Sequence, residues 1–135
     1  MENNYIEQLK RCQIGLKDIP FEHRTKEICE IAVKQDGWVL TYVPVELRTK
    51  ELCEIAVKEN GWALRFVPNE LRTKELCEIA VKQDGRTLQI VPEELKTEAI
   101  CELAALNTIE SLSFAPSKIK TNKFINRLDK LINKK

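Results

Sequence analysis

The sequence predicts an all-α fold, an α-solenoid of 24-residue repeats with capping helices at both ends, and three observations carry that prediction. The prolines Pro20, Pro44, Pro68, Pro92 and Pro116 stand 24 residues apart, and Thr25, Thr49, Thr73, Thr97 and Thr121 follow in the same step. Cys29, Cys53, Cys77 and Cys101 keep the period, as do Gly37, Gly61 and Gly85. Comparison of 44–67 with 68–91 finds 17 of 24 positions identical, which makes the period a structural repeat and not chance spacing. Within each period the apolar residues recur at 3.6 and not at 2, the helical pattern. A fixed period in the twenties marks units that bury their apolar faces only against their neighbours.

The elements follow in order from one unit. Thr49 has the chemistry of an N-cap, because its hydroxyl can accept an orphan N–H of a first helical turn. Leu52, Cys53, Ile55, Ala56 and Val57 cover one arc of the following helix, and Lys50, Glu51, Glu54 and Lys58 cover the other. Gly61 is expected to end this helix in the left-handed conformation. Trp62 to Val67 reads as a short second helix, apolar nearly all round and buried on most of its surface. Pro68 disfavours a helical Val67 and starts a one-turn 3₁₀ segment through Leu71. Each unit is thus a long helix, a short helix and a proline-started turn.

The boundaries are 1–19 for an N-terminal half-repeat cap, 20–43, 44–67, 68–91 and 92–115 for the repeats, and 116–135 for a basic C-terminal capping helix. All lie in one domain, 1–135. In the first cap Tyr5, Leu9, Leu16 and Ile19 take the registers of Cys29, Val33, Leu40 and Val43; in the last, Thr121 caps a helix carrying Phe124, Ile125, Leu128, Leu131 and Ile132. Stacked at ~8–10 Å per step, such units form a curved rod on the order of 50 Å long.

Composition excludes several function classes. The 135 residues suit one domain, and the charged residues leave no apolar run long enough to span a membrane. Five cysteines, an odd number, without a signal peptide point to a reducing compartment and a cytoplasmic location. The cysteine row invites a metal hypothesis, but ligands one repeat apart lie too far apart for one zinc ion, so the thiols read as packed core and no metal or cofactor is expected. Cys12, in the terminal half-unit, is expected to be the more exposed one. His23 is the single histidine and has no nucleophile beside it, and no phosphate-loop, zinc-protease or serine-hydrolase motif is present. No enzyme is expected and no catalytic residue is assigned.

The string L-R-T-K-E-L-C-E-I-A-V-K, followed by D/N-G-W-x-L-x-x-V-P, resembles the helical repeat family known as domain of unknown function 4116, over residues 20–115. The resemblance implies a helical array of the kind found in bacterial, effector-like and viral proteins, and hence an effector that acts in a host cell cytosol as one possible setting. The unit is also similar in architecture to the leucine-rich variant repeats, which alternate a helix with a 3₁₀ turn. Arg86 and Glu110 replace the tryptophan and Ile109 the glycine, so the fourth full unit is degenerate.

Variation between units points to function. It concentrates at Trp38/Trp62/Arg86/Glu110, Val39/Ala63/Thr87/Ser111, Thr41/Arg65/Gln89/Ser113 and Phe21/Val45/Asn69/Glu93, all on the short helix or the proline turn. Trp38 with Tyr42, and Trp62 with Phe66, are expected to pair at i,i+4. Aromatics and arginine beside varied polar residues suit a protein-binding surface, so Trp38, Tyr42, Trp62, Arg65, Phe66, Arg86 and Gln89 are the candidate contacts of a protein partner, bound by an adaptor or an occluding inhibitor. The simpler reading is that both tryptophans only roof the gap between helix layers. Charge supplies an alternative: residues 1–116 hold 15 basic and 20 acidic residues, whereas 117–135 hold seven basic residues and Asp129 alone. Lys118, Lys120, Lys123, Arg127, Lys130, Lys134 and Lys135 are therefore candidates for nucleic-acid contact. The same helix also serves as a cap whose lysines keep an exposed end soluble. A self-associating structural repeat is the third reading.

Overall fold

The computed structural model describes residues 2–133, and among them the chain is all-α, with no strand. The chain divides between Leu71 and Arg72 into two compact units. The first contains α1 (Glu2–Lys10), α2 (Lys26–Gln35) and α3 (Lys50–Glu59). The second contains α4 (Lys74–Gln83), α5 (Glu98–Asn107) and α6 (Asn122–Ile132). Six-residue 3₁₀ helices follow α2 to α5, at Gly37–Tyr42, Gly61–Phe66, Gly85–Ile90 and Ile109–Phe114. Three-residue 3₁₀ turns begin directly after Pro20, Pro44, Pro68 and Pro92, where a fixed proline φ suits the entry to a turn.

Each repeat is built by the same local chemistry. The hydroxyls of Thr25, Thr49, Thr73, Thr97 and Thr121 accept the N–H of the residue three positions on, at 3.1–3.4 Å, as the N-cap expectation requires. At the other end, Asp36, Asn60 and Asp84 act twice. The backbone N–H of each closes its α-helix on the carbonyl of Ala32, Ala56 or Ala80, and its side-chain Oδ1 accepts the N–H of Trp38, Trp62 or Arg86 at 3.0 Å. One Asx residue therefore ends the α-helix and starts the 3₁₀ helix without a linker.

The glycines do something other than expected. No described glycine has a positive φ, so Gly37, Gly61 and Gly85 are not left-handed caps. They are the buried first residues of the 3₁₀ helices. A Cβ on Gly37 would fall on the carbonyl oxygen of Ala56, and one on Gly85 would fall on that of Ala104. Within each unit, glycine is thus the residue that lets the next α-helix approach backbone to backbone. The left-handed cap occurs instead at Cys12 (φ 56°), where α1 ends with the N–H of Gln13 on Gln8 and that of Cys12 on Leu9.

The core of the first unit joins Ile28, Cys29, Ala32 and Val33 of α2 to Leu52, Cys53, Ala56 and Val57 of α3, with Leu9, Leu16, Ile19, Leu40 and Leu64 around them, all buried. The second unit repeats it with Leu76, Cys77, Ala80, Val81, Ile100, Cys101, Ala104 and Ala105, closed by Phe124 and Leu128 of α6. The capping role of α6 follows from that burial. Ile109 and Leu128 stand in the glycine and alanine registers of the earlier repeats, too large for the backbone contact made there. Ile109 is accordingly left 46% exposed.

In the first unit the arginine before each N-cap threonine, Arg24 and Arg48, ties successive 3₁₀ helices together. Arg24 donates from Nε to the carbonyl of Ile19, from Nη1 to that of Tyr42 and from Nη2 to that of Lys17. Arg48 repeats the fork on Val43, Phe66 and Thr41, at 3.0, 2.9 and 3.2 Å. In the second unit Arg72 reaches Ile90 at 3.3 Å, and Lys96, almost fully buried, reaches Phe114 at 3.2 Å while paired with Glu93.

Candidate functional site

The short helices set which varied residues face outward. A 3₁₀ helix has 3.0 residues per turn, so residues three apart eclipse and residues four apart lie about 120° apart. Gly61, Leu64 and Val67 form the buried face. Trp62 and Arg65 form the outer face, as do Arg86 and Gln89 in the second unit, where both are exposed. The third face, Ala63 with Phe66 or Thr87 with Ile90, points toward the flank, and Ala63, Thr87 and Ser111 are fully buried. That row was expected at the varied surface. Its variation is instead small residues exchanged in a tight space.

The same periodicity redirects the aromatic pairing. Trp38 does not pair with Tyr42 at i,i+4; it meets Phe66 of the following repeat edge-on, with ring centroids 5.1 Å apart and planes at 84°. The guanidinium of Arg65 lies 5.8 Å from the Trp38 ring centroid, within cation–π range. Three candidate contacts, Trp38, Arg65 and Phe66, are therefore one cluster in the first unit. Trp38 and Tyr42 are each 38% exposed, and Trp62 and Phe66 are half-buried. Trp38 covers the junction with the following repeat and keeps part of its ring in water.

In the second unit Arg86 forks onto its own cap, with Nε and Nη2 on the Asp84 carboxylate at 3.0 and 2.7 Å, and that carboxylate raises its pKa further. Gln89 donates to the Arg86 carbonyl at 3.2 Å. Arg86 borders an open polar recess of about 520 Å³ whose other walls are Gln83, Asp84, Asn107, Thr108 and Glu110. Asn107 organises one wall, accepting the N–H of Gly85 and donating to the Lys82 carbonyl.

The basic end is partly committed. Arg127 pairs with Glu102 of α5 at 2.9 Å, which fastens the cap helix. Lys118, Lys120, Lys123 and Lys130 are exposed, while Lys134 and Lys135 lie outside the described residues.

The repeated cysteines are buried and free, and Cys12 is exposed, as the sequence predicted. Cys29 and Cys53 each donate weakly from Sγ to the carbonyl of the clamp arginine, Arg24 or Arg48, at 3.8 Å. A small apolar residue with a donor is what this position needs. Burial raises the thiols of Cys29, Cys53 and Cys77 from 9.0 to about 11, against a smaller opposing pull from Arg24, Arg48 and Arg72. The unfolded chain releases these protons near 9, so stability is full below that pH and falls as pH rises from 9 toward 11. Urea unfolding at pH 7, 9.5 and 10.5 should show this loss, and Cys53→Ala should flatten the slope; an identical slope in the variant would remove the thiol as its source. Among the described residues no group of three or more His, Cys, Asp or Glu side chains is placed to hold a metal ion.

The clamp arginines and the Asx caps were not singled out by sequence reasoning. Their recurrence at the 24-residue step was the available signal, but without the fold it could not be told apart from the surface pattern of Glu27, Glu51 and Glu75.

Residues 49–96 match the family model described as Domain of unknown function (DUF4116). No curated protein and no solved structure matches the chain.

Proposed function

We propose, starting from the match of residues 49–96 to the DUF4116 family model, that the chain is a non-catalytic protein-binding module, an adaptor or an inhibitor by occlusion, that works through the outer faces of its 3₁₀ helices. The observation that supports this reading best is the Trp38–Arg65–Phe66 cluster, with a tryptophan ring and a guanidinium held together at the surface of the first unit. Tryptophan, tyrosine and arginine dominate binding energy at protein interfaces because they bring large contact area with a polar handle. Around this cluster the backbone is fixed by caps and clamps, so little ordering remains to oppose association. Arg86 and Gln89 present a polar face of the same register in the second unit. The buried free thiols suit a reducing, cytoplasmic compartment, and no described helix is long and apolar enough to cross a membrane.

Affinity capture from the source cell, followed by binding measurements on the partner recovered, tests the assignment. Trp38→Ala with Arg65→Ala should weaken binding by at least about thirtyfold, the loss of roughly 2 kcal/mol expected at a hot spot. Binding undiminished by the double variant would overturn the face. Capture of RNA or DNA that collapses with added salt and with Lys123→Ala and Lys130→Ala would favour the basic helix instead.

A further inference from the structure

One junction in the first unit is left unfilled. A cleft of about 250 Å³ opens between the segment that carries Gly15 and Leu16 and the 3₁₀ helix that carries Trp38, Val39 and Tyr42. Lys17 and Asp36 stand at its rim. The repeat register explains the space. At the next junction Trp38 fills the position beside Phe66, with Val39 following it; one period earlier, beside Tyr42, those registers hold Ile14 and Gly15.

Nothing in the backbone asks for glycine there. Gly15 has φ −107° and ψ 171°, extended values open to any residue, and a Cβ would meet only the Asp18 carboxylate, at 3.8 Å. This is the reverse of Gly37 and Gly85, where a Cβ would strike a carbonyl. The walls are also held in place. Arg24 bonds the carbonyls of Lys17 and Ile19 on one side and that of Tyr42 on the other, so one guanidinium sets the width of the opening.

We propose that this cleft is the anchor pocket of the protein-binding surface and accepts one aromatic side chain from a partner polypeptide; the proposal rests on the reading above and names what that surface grips. The incoming ring takes against Tyr42 the place that Trp38 takes against Phe66, the chain's own edge-on solution one repeat later. The Asp36 carboxylate at the rim supplies an acceptor for an indole or phenol donor, and its Oδ1 already receives the Trp38 N–H. Tryptophan or tyrosine therefore suits the pocket better than leucine.

The test uses the ¹⁵N-labelled full chain titrated with N-acetyl-tryptophanamide, N-acetyl-tyrosinamide and N-acetyl-leucinamide. The aromatic probes should give saturable amide shifts at Gly15, Leu16 and Tyr42 with a roughly millimolar Kd, and the leucine probe should bind at least about threefold more weakly. Gly15→Val, which restores the residue of the next repeat, should weaken the aromatic probes by about tenfold or more without lowering the thermal midpoint. Ile14→Trp, which supplies the missing ring from within, should do the same. Absence of saturable shifts at the cleft, or equal binding by both variants, overturns the proposal. Shifts confined to Arg65 and Phe66 and insensitive to either variant overturn the cleft and leave the protein-binding face standing.

Discussion

Gly37→Ala should destabilise the first unit by about 3 kcal/mol, whereas Gly15→Ala should be neutral or stabilise by a few tenths up to about 1 kcal/mol. The two substitutions add the same methyl group, so the difference isolates what surrounds it. At Gly37 the methyl would land on the Ala56 carbonyl oxygen, with the Ala56 carbonyl carbon at 3.0 Å and the Asn60 nitrogen at 3.1 Å. That oxygen is already the acceptor of the Asn60 N–H, at 2.9 Å, the bond that closes α3. Relief of the clash must therefore push α3 away from the 3₁₀ helix or open its C-terminal turn, and the Asn60 side chain that caps the next 3₁₀ helix moves with it. Backbone atoms have no rotamer to escape into. Gly85→Ala should cost as much in the second unit, where the Ala104 carbonyl is struck and also accepts the Thr108 N–H at 2.8 Å. Urea unfolding with amide hydrogen exchange resolves the two units. A Gly37→Ala variant within about 0.5 kcal/mol of the parent would refute the backbone contact as the reason for glycine.

Much of the fold was legible because a repeat states each contact several times. Threonine N-caps, the alanine-centred helix arc, the buried cysteine column and the closing role of Phe124 and Leu128 were all readable from residue type and register. The glycine was misread for a physical reason: a residue that permits φ > 0 is the same residue that permits close approach, and one sequence does not separate the two. The short helix was misread through its period. With 3.6 residues per turn Trp38 and Tyr42 share a face; with 3.0 they do not, and Trp38 reaches across to Phe66 instead. The change also moved Ala63, Thr87 and Ser111 from the expected surface into the interior. For the candidate site, residue types were legible and their grouping was not, since Trp38, Arg65 and Phe66 come together only through contact between successive repeats.

Arg48→Ala should cost about 3 kcal/mol, and Arg48→Lys should recover less than half of it. The side chain looks like a surface residue in the sequence, one more positive charge in a charged turn. In the structure its guanidinium satisfies three carbonyls, those of Thr41 and Val43 at the end of one 3₁₀ helix and that of Phe66 at the end of the next. Helix C-termini leave carbonyls without intrahelical partners and concentrate partial negative charge, so a planar cation with divergent donors is suited to the position. An ammonium is a single point. Lys96, the natural lysine in this register, makes one such carbonyl bond, to Phe114, and its remaining charge is met by Glu93. A second readout separates the clamp from general packing. Arg48 is the nearby charge that opposes the burial-driven rise of the Cys53 thiol, so its removal should push that thiol above about 11, whereas Arg48→Lys should leave it near the parent value. Thiol titration by ultraviolet absorbance, beside urea unfolding, gives both numbers. Loss of stability without a rise in the thiol would reduce Arg48 to a packing residue, and loss of neither would remove the clamp.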